Sequence, residues 1–419
     1  SFVASDWQRM TEPVANMGVD SDCTGLWHFD GTLNSHKGVS ATFTRASVAY
    51  LSDGTKVEAG QPRFEQGKFG QAVMVEEGTT NLVRTNAGAD PLFNSSTGWT
   101  FIGLGASIAN GVLTLQSPDG TTVSGCLCAL TNLAQNTKHS FLIRARYKDT
   151  TGTANALILD LYTPDYDNNE QELFITTSQL TTAFQNFKKD GFDSQLAPSS
   201  VQLRIFTFST RPIEVEFVQL EQKAYATTVI DGTRSPETLT IPTAGVLNPQ
   251  EGTIEFWLNP QSLDLNTYVC VGGTPWVSAS EDNNSYQIYG EKGTLKARWG
   301  NGSGVVLVDS ALALTIGMWF YVAVTWKAND SLKIYVNGTL KASATLGSLN
   351  PVYPTNYIWV GIDRNGNHGA QSLIDELRID KVARTDEEIQ AWYKANAPFY
   401  TSEDMKQLPG YLRAESDGY

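Results

Sequence analysis

Trp319-Phe320-Tyr321-Val322-Ala323-Val324-Thr325-Trp326, followed shortly by Leu332-Lys333-Ile334-Tyr335-Val336-Asn337-Gly338, decides the architecture of this chain. The first run is apolar, aromatic and β-branched, which suits a buried strand. The second alternates apolar and polar residues and then reaches Asn-Gly. That dipeptide tolerates positive φ at both turn positions, as a type I′ hairpin demands. The partner strand is therefore placed at about 339–344. Working outward, Thr253 to Leu258, Tyr357 to Val360 and Leu373 to Ile379 read as further strands. Strands at this spacing with no helix between them predict an antiparallel sandwich.

One helix is predicted after them. Thr385-Asp386-Glu387-Glu388 is a capping box, and its acids suit the positive end of the helix dipole. Ile389, Trp392 and Tyr393 fall at i, i+3 and i+4, giving one apolar face, and Pro398 ends the helix. The middle of the chain reads as a separate all-β unit. Asn110-Gly111 is a second hairpin signal, and Ser140 to Tyr147, Asn155 to Tyr162, Val201 to Thr207 and Glu214 to Leu220 alternate. The first part offers only Gly25 to Gly31 and Gly67 to Val75 as strands. So few strands are not stable alone and need partners after Gln222.

Composition narrows the functions. Lys and Arg number 30 against 44 Asp and Glu, a net charge of −14. That excess of acid repels phosphate, which argues against nucleic acid and anionic membrane as partners. No run of 18 apolar residues suits a membrane span. The segment 1–23 carries Asp6, Arg9, Glu12 and Asp20, so it does not read as a signal peptide; a chain starting at Ser1 reads as processed or excised. Cys23, Cys126, Cys128 and Cys270 contain no CxxC pair and read as buried, reduced thiols.

Taken in order, Gly252 to Trp257, Gly317 to Trp326, Ile334 to Gly338, Trp359-Val360-Gly361, Leu373 to Ile379 and Ala383 to Ile389 resemble the laminin-G-like jelly rolls of the concanavalin A-like lectin/glucanase superfamily. In that family the jelly roll opens with strands similar to Trp27-His28-Phe29-Asp30-Gly31 and Gly67 to Ala72. The resemblance implies an all-β chain of jelly-roll sandwiches in four parts: an N-terminal segment 1–23, a discontinuous jelly roll of 24–85 plus 237–396, an inserted jelly roll 88–222, and an extension 397–419. The insert resembles carbohydrate-binding modules at Asp90 to Asn94, Gly98-Trp99 and Val218 to Glu221. The order of the whole chain resembles minor tail, fibre and appendage proteins of bacteriophages; Thr44 to Ser47, Glu76 to Leu82 and Ala226 to Arg234 add to this.

The resemblance implies a non-catalytic component of a phage tail or fibre that attaches the virion to cell-surface glycan, with other tail proteins and further copies of itself as partners. The alternatives are a structural decoration protein and a secreted bacterial adhesin. A glycosidase needs two facing carboxylates. The Glu-x-Asp-x-x-Glu pattern of the glucanase branch is absent, Glu255 stands isolated in sequence, and no enzyme is expected. For a ligand face, Trp276, Tyr286, Tyr289 and Trp299 lie in a stretch rich in Asn and Asp, with Trp99 and Tyr166 as a second set beside Asp165 and Asp167. The alternative for each aromatic is the strand core or a contact between copies. Strand periodicity puts Leu373, Asp375, Leu377 and Ile379 on one face, and an aspartate there needs a partner. Members of the resembled family often hold a structural calcium with an acid from the first strand and one from this late strand. Asp30 and Asp375 match those places, with Asn34 or backbone carbonyls completing the shell. The alternative is that Asp375 accepts backbone amides or pairs with Arg378 or His28.

Overall fold

Alternation, hairpin and capping signals translate directly into elements in the computed structural model, which describes residues 17–134, 137–163, 168–193, 201–263, 266–271, 285–300, 304–349 and 356–396. An eight-stranded antiparallel sheet runs in the order Thr339–Thr345, Ser331–Val336, Phe320–Lys327, Glu251–Pro260, Ser372–Asp380, Gln71–Val75, Arg63–Gln66, and Cys23–Trp27 also pairs with Ser372–Asp380. Facing it is a seven-stranded sheet of Thr42–Thr44, Thr238–Pro242, Tyr357–Val360, Asn266–Val271, Tyr286–Glu291, Thr294–Gly300 and Val305–Ala313. Their inner faces share one core, in which Trp27, Phe29, Val73 and Val75 pack with Leu239, Phe256, Val322, Ile334 and Ile379. The short N-terminal strands thus find their partners in the last third of the chain. The hairpin turns on Asn337 and Gly338, with φ of 51° and 69°, between Val336 and Thr339.

Residues from Val83 to Leu220 build a second core. One five-stranded sheet is Gln185–Asp193, Lys138–Tyr147, Ile213–Glu221, Val112–Leu115 and Ala106–Ala109. The other is Asn168–Ile175, Leu157–Thr163, Val201–Thr207, Ser124–Leu130 and Thr100–Gly103. Asn110 and Gly111, again both at positive φ, turn the predicted hairpin. All four cysteines are free and buried.

The outer face of the eight-stranded sheet is covered as well. Met17 and Cys23 pack there with Trp257, Tyr321 and Tyr335, and Ile389 and Tyr393 of the helix Asp386–Asn396 join them. The capping box forms: the Glu388 amide donates to Thr385 Oγ1 at 3.2 Å, and the Thr385 amide donates to Glu388 Oε2 at 2.8 Å. Glu255, isolated in sequence, is surrounded here. Tyr321 donates to it, and the Arg378 Nε lies 3.4 Å away.

Two sequence readings change. Gly67 to Val75 is not one strand: Gly67 to Gly70 is the turn of a hairpin whose other arm, Arg63–Gln66, the sequence reading missed. The face assigned to Asp375 is also corrected. Glu376 sits at φ 54°, and the pairing with Glu251–Pro260 slips there, from Trp257 opposite Asp375 to Glu255 opposite Arg378. Such a bulge inserts one residue and reverses which side the following residues take. Leu377 and Ile379 enter the inter-sheet core, whereas Leu373 packs with Ala72, Met74 and Trp319, and Asp375 sits opposite Trp257 of the outer-face cluster.

Where the two cores meet, charges are buried in compensation. Glu237 accepts from Arg45 Nη1 at 2.8 Å and from Arg63 Nη2 at 2.6 Å, and Glu76 lies 2.7 Å from Arg63 and 2.8 Å from Arg234. All five side chains are at most 1% exposed. Burial works against the Glu76 carboxylate, but Arg234 and Arg63 outweigh it and hold it well below the usual carboxylate range. Asn81 caps the short helix Leu82–Thr85 through Val83 N and donates to the carbonyls of Val218 and Ile230. The stretches around Arg45, Glu76 to Asn81 and Thr228 to Arg234, noted in the sequence only as family-like, are therefore the joint between the two cores.

Candidate functional site

Asp30 and Asp375 come together around the turn of Gly67 to Gly70. Asp375 Oδ2 accepts from the Phe69 amide at 2.9 Å and Asp30 Oδ1 from the Gln71 amide at 2.8 Å. A Cβ at Gly70, which has φ 57°, would stand 2.1 Å from Asp30 Oδ1, and one at Gly67 would stand 2.8 Å from Asp375 Oδ2. Only glycine lets the turn close over both carboxylates. Asp375 is fully buried, and its Oδ1 makes no hydrogen bond. Burial, followed by the neighbouring charges of Glu376 and Asp30, pushes its carboxyl up to about 8. Neither side chain named as its alternative partner reaches it. His28 bonds Glu376 at 2.8 Å, and Arg378 pairs with Asp380 and Asp20. Asn34 is exposed, and its backbone amide donates to Thr32 Oγ1, so nothing among the described residues ties its side chain to either aspartate. Two carboxylates and an orphaned buried oxygen fit a hard cation; a third acidic, His or Cys ligand is not found among the described residues.

The aromatic ligand face expected around Tyr286 and Trp299 is corrected. Their rings stack on each other at 4.1 Å, Trp326 lies 4.6 Å from Trp299, and both residues are at most 1% exposed in the inter-sheet core. A strand in a sandwich has to send alternate residues inward, and these two are on the inward side. Tyr289 takes the other side of its strand but is also buried. Trp99 is corrected too: it packs on Phe93 at 5.4 Å and spends its N–H on the Asp90 carbonyl. Trp276 and Tyr166, with Asp165 and Asp167, lie outside the described residues.

Side chains suited to a ligand are instead on the outer face of the sheet that contains Leu157–Thr163. Leu157, Leu159 and Leu161 point into the core, as do Val201, Leu203 and Ile205. Ile158, Asp160, Tyr162, Gln202, Arg204 and Phe206 therefore face out. Cross-strand register aligns Ile102, Gly125, Phe206, Ile158 and Phe174 in one row, and Phe174 is 51% exposed. The next row is Thr100, Leu127, Arg204, Asp160 and Glu172. Arg204 forms a two-pronged pair with Asp160, at 2.9 and 2.6 Å, and lies 3.8 Å from the centre of the Tyr162 ring. Asp160 is fully buried beneath this guanidinium. An apolar row thus runs beside a polar row whose central cation is fixed in place. The sequence carried this signal in the alternation Val201-Gln202-Leu203-Arg204-Ile205-Phe206, which was read for its strand and not for its outward face.

A local match joins the chain to the adhesion G-protein coupled receptor D1 of Bos taurus, 34% identical over 77 residues, 18% of this chain and 8% of the receptor. Among solved structures, the receptor binding domain of botulinum neurotoxin mosaic serotype C/D aligns with TM-score 0.30 and 20% identity, covering 38% of this chain and 40% of that one. Domain 4 of AbnA, a GH43 extracellular arabinanase from Geobacillus stearothermophilus, in complex with arabinotriose, aligns with TM-score 0.31 and 22% identity, over 41% of this chain and 80% of that one. The chain thus spans a small part of the receptor and about two fifths of the toxin domain. Residues 232–390 match the family Laminin_G_3, and over that segment the chain resembles the concanavalin A-like lectin/glucanases superfamily.

Proposed function

We propose that this chain is a non-catalytic, extracellular glycan-binding protein that presents the outer face of the sheet containing Leu157–Thr163 to polysaccharide. The observation that carries the proposal is the row of Phe206, Ile158 and exposed Phe174 beside Arg204 held on Asp160. Sugars have C–H faces that pack on apolar rings and hydroxyls that take charged and amide partners. Two parallel rows, one apolar and one polar, meet both needs. The lectin-type family match of residues 232–390 supports the same class. The finer reading is a phage tail or fibre protein on the virion, binding host glycan as a homo-oligomer beside other tail proteins; the order of sequence motifs supports it. A calcium ion on Asp30 and Asp375 belongs to this proposal, supported by the bare Asp375 Oδ1.

A second reading, a structural decoration protein, is favoured by the edge strand Val305–Ala313, where Val305 and Leu307 are exposed. An apolar sheet edge suits pairing with another copy. A glycan array separates the two. Phe174→Ala is expected to weaken polysaccharide binding at least tenfold with the melting temperature little changed, whereas Arg204→Ala, which also strips the buried Asp160 of its partner, should weaken binding and lower the melting temperature. A wild type that forms oligomers yet binds no glycan would sink the first reading.

A further inference from the structure

A second recess, with no part in that face, lies between the two cores. It is a cleft of about 210 Å³. Its apolar wall is Leu142, Phe217 and Val229, a small cluster of its own, with Met74 across from it. Gln371 lines it and is 2% exposed, yet its Nε2 has no hydrogen-bond partner. A buried amide N–H left unsatisfied is costly, so something that accepts a hydrogen bond suits this position. The Gln371 backbone holds φ at 40°, a conformation side chains rarely adopt, and its carbonyl accepts from Gln261 N at 2.7 Å. At the mouth, exposed Asn186 donates to the Ser52 carbonyl at 2.8 Å, and Lys188 reaches the Gln261 carbonyl at 3.4 Å. Both side chains cross from one core's sheet to the loops of the other.

The chemistry of an occupant follows from what lines the cleft. Glu76 is there, but Arg63 and Arg234 already neutralise it. Lys188 is paired with Asp190 at 3.2 Å. No uncompensated charge faces the cleft among the described residues, so a charged ligand gains nothing. The volume falls below the roughly 300 Å³ at which pockets for drug-sized ligands begin, so it takes one ring and not a chain. An apolar wall opposite an amide donor matches a ring with a C–H face and oxygen acceptors. We infer that this cleft binds a single neutral sugar ring, as a site separate from the sheet face. This goes beyond the proposed function and does not depend on it.

The test is saturation-transfer NMR on the whole chain with D-glucose, D-galactose, D-mannose and N-acetyl-D-glucosamine as probes. At least one is expected to receive saturation. Gln371→Leu, which removes the donor, and Ala226→Trp, which fills the recess beside the apolar wall, should each weaken it at least tenfold. Ala226→Trp should leave polysaccharide binding at the sheet face unchanged. A crystal of the wild type soaked in the best probe should show a sugar oxygen within hydrogen-bond distance of Gln371 Nε2; this holds even if a variant fails to fold. Saturation of none of the four sugars, binding that survives both substitutions, or a soaked cleft holding only water each overturns the inference. A wild type that binds polysaccharide but none of the free sugars overturns it and leaves the sheet-face reading standing.

Discussion

At the scale of the residue, Asp375 is the most exacting position in the chain. Its carboxyl is raised from 3.8 to about 8 in the folded protein, because burial and two nearby acids disfavour the charge. An acid with a raised folded value binds its proton more tightly in the native state. Its stabilising effect is present below the unfolded value of about 4 and drains away as pH rises towards 8. In chelator, the melting temperature is expected to fall as pH climbs through that window, and Asp375→Asn should flatten the slope. Burial also raises Glu255, to about 7, and that adds a slope of the same sign, so the difference between wild type and variant is the quantity to measure. Calcium acts oppositely, since it favours the ionised form. Adding it at pH 8 should raise the melting temperature of the wild type and not of Asp375→Asn. No calcium response in the wild type would remove the ion from the proposal.

At the scale of the element, local chemistry was legible and pairing was not. The Asn337-Gly338 hairpin and the Thr385 capping box follow from a few adjacent residues, and both formed. Thr385→Ala removes the bond to the Glu388 amide and should cost about 1 kcal/mol in chemical denaturation, with the helix otherwise intact. The face of Asp375 could not be read in the same way. The bulge falls on Glu376, a residue with no preference for positive φ, and it exists because the neighbouring strand sets the register. Tyr286 and Trp299 were misplaced for a related reason. Aromatics next to polar residues fit either side of a strand, and only the opposite sheet decides which side is core. Arg204 and Phe174 were passed over because their strands lie some thirty residues apart in sequence and flank Leu157–Thr163 on the same face, so the two rows exist only once the sheet is built.

At the scale of the molecule, the two cores are joined through buried charge. Glu237 serves Arg45, Arg63 and the Glu76 amide at once. Glu237→Gln leaves a buried cation underpaired and should cost about 3–5 kcal/mol. Because the Glu76 that Glu237 holds also binds Thr228 on the segment that returns from the second core, calorimetry of the wild type should show one cooperative transition, and Glu237→Gln should separate it into two. Two transitions already present in the wild type would show that the joint is mechanically weak despite its geometry.

The pairing of Cys23 with Asp380 sets an order of events during synthesis. A ribosome makes the first strand of the eight-stranded sheet long before its neighbour, and Met17 waits for Glu376, 359 positions later. The core from Val83 to Leu220 is complete as soon as Glu221 has emerged, so it can fold while the strands before it remain unpaired. While residues 222 to 380 are being made, the nascent chain therefore carries one finished unit and a set of apolar strands still waiting for Ser372–Asp380. Their exposure ends only when Ser372–Asp380 leaves the exit tunnel.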